Sequence, residues 1–348
     1  MRTRPAEAYS SKFASAPPRG ATLRALSKQD LAAVVEIDAA LIGRPRRDYF
    51  ERRLKAALRE PALHLQLAME EGGRLRGFVL ARTLEGEFGR MEPALRLQVI
   101  GTEPGSQRHG YGRCLLAELE AHALRQGIRV VRTQAHWKYH GMLSFLDRAG
   151  FELDRNHVID CEVHAGRIVA GDDAMLTSGA PGASGEINYA APSANDFETL
   201  ARDCADVRSL RHEDLADVAR IDRRLTGRDR GPYIARQIEE ALCDSAVRVS
   251  LAAHHDGAVV GYLAANVDFG DVGRTEPTAV IDTLAVDPER AGTGIGAALV
   301  SQLLVNLMAL HVERVETEVA RDRLDLLAFF YRLGFAPSAR LGFVKRLS

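Results

Sequence analysis

The chain repeats itself at a fixed spacing, and that repeat constrains its fold more than anything else in the sequence. Gly110 and Gly112 recur as Gly294 and Gly296, 184 positions on. The same offset carries Ile37-Asp38 to Ile221-Asp222, Gly43-Arg44 to Gly227-Arg228, and Gly150-Phe151 to Gly334-Phe335. It also carries Arg90, Glu92 and Pro93 to Arg274, Glu276 and Pro277. Solenoid repeats have units of roughly 20–50 residues, so an ungapped period this long is a duplicated domain. A chain of 348 residues accommodates two such domains, each large enough to bury its own core.

Within each copy the densest pattern is a strand, a glycine turn and a helix. Ile281 to Val286 are apolar and β-branched enough for a buried strand, and Asp287-Pro288 stops it. Gly292, Gly294 and Gly296 let the backbone turn into a helix whose apolar face is Leu299, Leu303, Leu307 and Leu310. A helix starting at such a loop aims free N–H groups and its positive dipole end at its guest, so the expected guest is an anion such as a phosphate. The upstream copy, Leu97 to Leu119, has the same layout.

These loops resemble the acetyl-CoA loop of the GNAT N-acetyltransferases, Gln/Arg-x-x-Gly-x-Gly/Ala between a strand and a helix. Gln107-Arg108-His109-Gly110-Tyr111-Gly112 matches it throughout; Ala291-Gly292-Thr293-Gly294-Ile295-Gly296 matches at both glycines but begins with Ala. Both copies then continue with a strand, a helix and Gly-Phe, as that family does. The resemblance implies an α/β fold of two tandem GNAT-type domains, each a twisted mixed sheet with helices on both faces, whose strands flanking the long helix part to admit pantetheine. It implies acetyl-CoA as cofactor, held by the two loops together with Leu284, Ala285, Val286 and Arg290. A rival reading is the dinucleotide pattern, which Gly292-x-Gly294-x-x-Ala297 also fits. Against it, Asp287 to Arg290 separate strand from glycines, and the upstream copy has Arg108 in place of the first glycine.

The remaining composition narrows the partners. Net charge is −1 with 27% charged residues, so no global field favours nucleic acid or a membrane surface. No apolar run approaches the roughly 18 residues of a membrane span. Cys114, Cys161, Cys204 and Cys243 show no metal-ligand spacing and read as reduced thiols of a cytoplasmic protein. Cys114, in the first helical turn after the upstream loop, is either an activated thiol or, as favoured here, core packing. Residues 1–20 read as a disordered tail, 21–163 as the first domain, 164–204 as a Gly, Ala, Ser and Pro-rich linker, and 205–348 as the second domain.

Acetyl transfer to an amine needs the cofactor held, a neutral amine presented and the leaving thiolate stabilised. By resemblance, the acid is a tyrosine three residues before the Gly of Gly-Phe, which is Tyr331; its duplicate Asp147 is ionised and has no proton to give. The bland alternative for Tyr331 is helix packing. Asp282 and Glu318 are alternative bases, each an amide (Gln98, Gln134) in the first copy, and an ordinary strand carboxylate is an equal reading of both. The acceptor side falls on Asp222, Arg228, Arg230 and Tyr233, echoed by Asp38, Arg44, Arg46 and Tyr49; the arginines would bind a substrate carboxylate or simply tie helices by an ion pair. His136 to His140 read as a solvated loop in preference to a ligand cluster. The expectation is transfer from acetyl-CoA to a small-molecule or protein amine in the second domain. The first would be a degenerate partner in an intramolecular pseudo-dimer, with further homodimerisation open. The alternatives are an active first domain or a non-catalytic acyl-CoA sensor.

Overall fold

The computed structural model describes residues 18–84, 92–163, 205–243, 248–268 and 278–348. The expected linker, most of the expected N-terminal tail, and Arg90, Arg274, Glu276 and Cys204 lie outside these residues. The first half runs β1 (Ala21–Ala25), α1 (Leu31–Ile42), α2 (Arg47–Arg59), β2 (His64–Glu71), β3 (Arg74–Leu84) and β4 (Ala94–Thr102). It continues with α3 (Tyr111–Arg125), β5 (Val130–His136), α4 (His140–Arg148), β6 (Glu152–Leu153) and β7 (Asn156–Glu162). The second half repeats this order as β8 (Asp206–Ser209), α5 (Leu215–Thr226), α6 (Gly231–Cys243), β9 (Arg248–His255), β10 (Ala258–Asp268) and β11 (Thr278–Val286). Then come α7 (Ile295–Ala309), β12 (Arg314–Ala320), α8 (Leu324–Arg332), β13 (Ala336–Pro337) and β14 (Arg340–Arg346).

Local chemistry sets these boundaries. Gly72 and Gly73 both take positive φ, 59° and 75°, which turns β2 back onto β3 in a tight hairpin. Gly43 and Gly227 end α1 and α5 in the left-handed conformation, where a Cβ would be strained. Strand alternation then sorts the core. In the second half Leu251, Leu263 and Ile281 pack with Leu299, Leu303 and Leu307 of α7 on one face of the sheet. Their strand neighbours Ala252, Tyr262 and Ala285 pack with Val218, Ile221, Tyr233 and Ile234 of α5 and α6 on the other. The sheet is therefore covered by helices on both faces.

The described residues form two mixed sheets of seven strands, ordered β1-β2-β3-β4-β5-β14-β6 and β13-β7-β12-β11-β10-β9-β8. The halves have exchanged their last long strands. β7 of the first half runs antiparallel to β12 from Asn156↔Ala320 to Glu162↔Arg314, and β14 of the second half runs antiparallel to β5 from Arg340↔His136 to Arg346↔Val130. The division at 21–163 and 205–348 thus follows the order of the chain, whereas each sheet draws on both segments. At the seam two positions related by the duplication meet, with Gln134 Nε2 donating to the Glu318 carboxylate. Buried Arg340 donates to the Gln134 side chain at 3.4 Å and to its carbonyl at 3.3 Å.

The parallel pairs in each sheet are short. β11 and β12 are in register only at Thr278↔Arg314, Ala279↔Val315 and Val280↔Glu316, and β4 and β5 only at Leu95↔Val131 and Arg96↔Arg132. Beyond those residues the strands part, as the family resemblance leads one to expect. A bulge accompanies each parting. On β11 the register against β10 steps past Asp282, and on β4 the register against β3 steps past Gln98, its duplicate.

Because β14 belongs to the first half's core, where Phe343 is buried among first-half residues, Phe343→Ala is expected to cost about 3–5 kcal/mol. The loss should register as faster amide exchange in β5 and α3. Loosening confined to the second half would contradict the exchanged topology.

Candidate active site

The glycine loop is built by conformations that few side chains tolerate. After β11 ends, Asp287 accepts the Glu289 N–H at 3.2 Å and starts a tight turn over Pro288–Arg290. Gly292 (φ 79°) and Gly294 (φ 87°) then swing the chain into α7. The first N–H groups of that helix have no intrahelical acceptor and lie at the loop, together with the positive dipole end. At Gly296 a Cβ would stand 3.3 Å from the Phe329 ring, so glycine there lets α7 start against α8. In the upstream loop Gly110 (φ 91°) caps α3, and Arg108 (φ 66°) takes the left-handed conformation that Gly292 takes downstream. A non-glycine residue there costs of order 1–3 kcal/mol.

One cavity of about 620 Å³ occupies the second half's opening. Of the expected cofactor residues, Leu284, Ala285, Val286, Arg290, Ala291, Gly292, Gly294, Ile295 and Gly296 all line it. Thr293 does not: it is exposed and its hydroxyl donates to the Arg290 carbonyl at 2.7 Å. The opposite wall is α8, through Leu326, Phe329, Arg332 and Leu333, with Arg323 and Asp325 at its start. Arg323 binds Asp325 through Nε at 3.0 Å and Nη2 at 2.8 Å, and holds that carboxyl down to about 2. In the upstream loop, the His109 ring Nδ1 lies 2.8 Å from the Gln107 carbonyl, and Tyr111 is buried, which together with Glu71 raises its pKa. Gly112 faces Phe145, duplicate of Phe329, at 3.5 Å from where its Cβ would be.

The cavity's inner end is formed by Asp222, Leu225 and Thr226 of α5, with Arg230 and Tyr262. Arg230 grips Asp222 with both Nε (2.9 Å) and Nη2, and the Tyr262 hydroxyl lies 3.5 Å from the same carboxylate. Burial, with the Asp222 charge beside it, raises the Tyr262 pKa, so the hydroxyl stays protonated. Arg230 thus makes the ion pair with Asp222 that is one of its two expected roles, and it also lines the cavity. Arg228 is exposed and Tyr233 is buried in the core beside α5; neither lines the cavity.

The first half keeps the pair and sets two aromatic rings at the neighbouring positions. Arg46 grips Asp38 at 2.8 Å and 2.6 Å, both side chains buried. Phe50 and Phe78, wholly buried, meet edge to face at 5.5 Å where the second half has Ile234 and Tyr262. Phe78 sits so close to Gly101 that a Cβ there would be 2.8 Å from its ring, whereas the second half carries Ala285 at that position.

The three expected catalytic residues are not brought together. Tyr331 is 76% exposed, because α8 turns Phe330 into the core against Phe335 and leaves the next residue on the solvent face. The cavity is lined from α8 by Phe329, Arg332 and Leu333, not by Tyr331. Glu318 accepts from Gln134 at the seam between the halves, where its carboxylate serves the interface. Asp282 is the bulged residue of β11, half-buried, and accepts from Asn266 on β10; it stands next to Thr283, which does line the cavity. Among the described residues, no cluster of His, Cys, Asp and Glu is arranged to hold a metal ion. Cys114 is a packed core thiol, which burial pushes up in pKa, as the core reading requires. Elsewhere in the first half, Trp137, Lys138 and His140 are exposed, as a solvated loop would be.

Sequence reasoning missed Tyr262, Arg323, Arg332 and Asp287. The repeat carried a signal for the first, since Phe78 becomes Tyr262 at the same offset.

The acetyltransferase (GNAT) family profile matches residues 31–151 and 215–335, one match in each half. A mycothiol acetyltransferase from Clavibacter michiganensis subsp. michiganensis is 26% identical over 242 residues, 69% of this chain and 69% of that protein. Among solved structures, a tandem GNAT protein from the clavulanic acid biosynthesis pathway superposes with a TM-score of 0.61 at 18% identity, over 94% of this chain and 98% of that one. A GCN5-related N-acetyltransferase from Sphaerobacter thermophilus gives 0.54 at 14% identity, over 95% and 97%. Two matched halves, two parted parallel pairs and two glycine loops agree: this chain is a member of the GNAT acetyltransferase family, in its tandem form.

Proposed function

We propose that the second half transfers an acetyl group from acetyl-CoA to a primary amine by direct attack, and that the first half serves as its scaffold. The observation that carries this reading is the continuity of one cavity from the Gly292–Gly296 loop, along Thr283 to Val286 of β11, to the corner at Asp222, Arg230 and Tyr262. The loop N–H groups and Arg290 would hold the phosphates, and the β11 edge beyond Val280, released from β12, offers backbone groups to pantetheine amides. In the first half Phe50 and Phe78 take up the matching corner, which leaves an amine no seat there. An enzyme fed by acetyl-CoA fits the cytoplasm, in line with cysteines whose spacing marks no metal site or disulfide framework.

Direct attack is the simpler reading of the lining: among the described lining residues there is no cysteine, serine or histidine to take the acetyl group first, and the hydroxyls there are those of Thr226, Thr283 and Tyr262. An amine with a pKa of about 10.4 arrives mostly protonated, and its proton must leave to solvent in the cavity, whose wall includes the Asp222 carboxylate. The thiolate, whose conjugate acid has a pKa of about 8.5, is protonated by solvent entering at the open mouth near Arg332.

The test begins with isothermal titration of acetyl-CoA, counting sites, followed by an acetyl-transfer assay on an amine panel. The likeness to a mycothiol acetyltransferase places deacetylated mycothiol on that panel. Gly294→Glu sets a side chain at a left-handed position and a negative charge where the phosphate belongs, so turnover should vanish. Gly110→Glu should leave turnover intact; the reverse outcome would move catalysis to the first half. Tyr331→Phe, on the solvent face, should fall far short of the roughly 10²- to 10⁴-fold loss that removal of a general acid brings. A loss of that size would return Tyr331 to the chemistry.

A further inference from the structure

Asp287 ties together two walls of the cavity that the sequence places far apart. It is the residue at which β11 gives way to the glycine loop, and its side chain is only 7% exposed. One oxygen accepts from Arg220 Nη1 at 2.7 Å, and Arg224 Nη1 lies 3.0 Å and 3.1 Å from the two oxygens. Both arginines belong to α5. Arg220 also donates from Nη2 to the Val259 carbonyl at 3.0 Å, which ties the same helix to the start of β10. The third partner of the carboxylate is the Glu289 N–H, inside the turn that leads to Arg290 and Gly292.

The consequence lies in what each end of this junction touches. The last turns of α5 present Asp222, Leu225 and Thr226 to the inner end of the cavity, and the loop presents Arg290, Ala291 and Gly292 to its outer end. A carboxylate shared by two guanidiniums is a charge-assisted contact with little play, so the α5 backbone cannot shift against the loop without breaking it. The first half is wired differently. There the equivalent residue, Glu103, accepts from Arg76 of β3 at 2.6 Å and from the Ser106 hydroxyl at 2.9 Å, within its own sheet and turn. Glu36 and Ala40 stand where the second half has Arg220 and Arg224, so the first half's helix lacks both cationic partners. The link between helix and loop belongs to the half whose cavity extends to the Asp222 corner.

We propose that Asp287 is a positioning residue that couples acetyl-CoA binding at the loop to the placement of α5, and so sets the acceptor wall when the cofactor is bound. The proposal rests on the acetyl-CoA reading of the loop. When acetyl-CoA immobilises Arg290 to Gly296, Asp287 is immobilised with them, and through Arg220 and Arg224 so are the residues of α5 that face the acceptor. Asp287→Asn keeps the shape and the acceptor for the Glu289 N–H but removes the one charge that both guanidiniums share, leaving Arg220 its contact with Asp217 at 3.1 Å and Arg224 its contact with the exposed Glu289 at 3.3 Å.

The experiment is hydrogen exchange of the full chain with and without saturating acetyl-CoA, read at α5 and at the Gly292–Gly296 loop, with binding followed separately by titration. In the native protein acetyl-CoA should slow exchange in both segments. In Asp287→Asn the slowing at the loop should persist while the slowing at α5 is lost. A purely structural role would instead change α5 exchange equally with and without acetyl-CoA, and that result would overturn the proposal. Arg224→Met, at a half-exposed position that leaves the Arg220 contact in place, should lose part of the α5 response and carries the test should Asp287→Asn fail to fold. Acetyl-CoA that binds and slows the loop but not α5 in the native protein would sink the coupling alone. No binding to the native protein, or binding unaffected by Gly294→Glu, would remove the cofactor reading and the coupling with it.

Discussion

The open site depends on strand β12 being held from the wrong side. Its ladder with β11 covers Arg314 to Glu316 and then stops, whereas its ladder with β7 runs from Arg314 through Ala320. A strand that gave up most of one edge in isolation would leave a row of unpaired backbone groups and little to fix its position. Here the second edge is fully paired, by a strand from the other half. The same arrangement holds β5, paired to β4 at Leu95 and Arg96 and to β14 along its whole length. Each half can therefore keep a gap in its sheet because the other half closes the far side of it. A first half that does no chemistry would still be needed for the wall of the second half's cavity.

The duplication, both glycine loops and the strand and helix order were legible because each is local. They rest on turn glycines, periodicity and offset, and a single chain carries these without reference to its fold. The strand exchange was not legible, for a reason that lies in the duplication itself. Asn156 to Glu162 and Arg340 to Arg346 occupy the same place in their repeats, so either strand completes either sheet as far as pattern goes. Only long-range pairs such as Arg314 with Asp160 at 2.8 Å and Lys345 with Glu120 reveal which partner was chosen, and these connect residues more than 150 positions apart. The Glu318–Gln134 contrast has a second meaning for the same reason: a carboxylate with an amide in the other copy is also what two equivalent positions need in order to hydrogen-bond each other across a seam.

Tyr331 is a different case, because the information was present. Counting back from Gly-Phe selects a position by distance along the chain, but a helix orients its side chains by phase, about 100° per residue. Leu326, Leu327, Phe330 and Leu333 mark the buried stripe of α8, with Phe330 wholly buried. Leu324, Ala328 and Tyr331 then fall together on the exposed side. Within one helix the periodicity decides which side chains are buried, since burying three or four large apolar groups outweighs whatever one tyrosine ring would gain, and it sets Tyr331 on the exposed side.

Comparing the two halves separates what the fold requires from what the site requires. The Asp–Arg pair after the first helix persists in both copies, and in the second it stands at the wall of a cavity. Removing one partner of a buried pair strands the other charge at a cost of about 3–5 kcal/mol, so the pair resists change whatever the neighbouring space is used for. The positions around it are free of that constraint. Phe50 and Phe78 in one copy, Ile234 and Tyr262 in the other, are all apolar enough to pack against their first helix, so the exchange of ring for branched chain alters the free volume and leaves the core intact. Function in a duplicated fold of this kind is then written at residues that pack equally well either way. The shape of the corner beside the pair turns on whether two aromatic rings meet there, and the charged residues most conspicuous in the sequence are paired with one another between the helices that surround it.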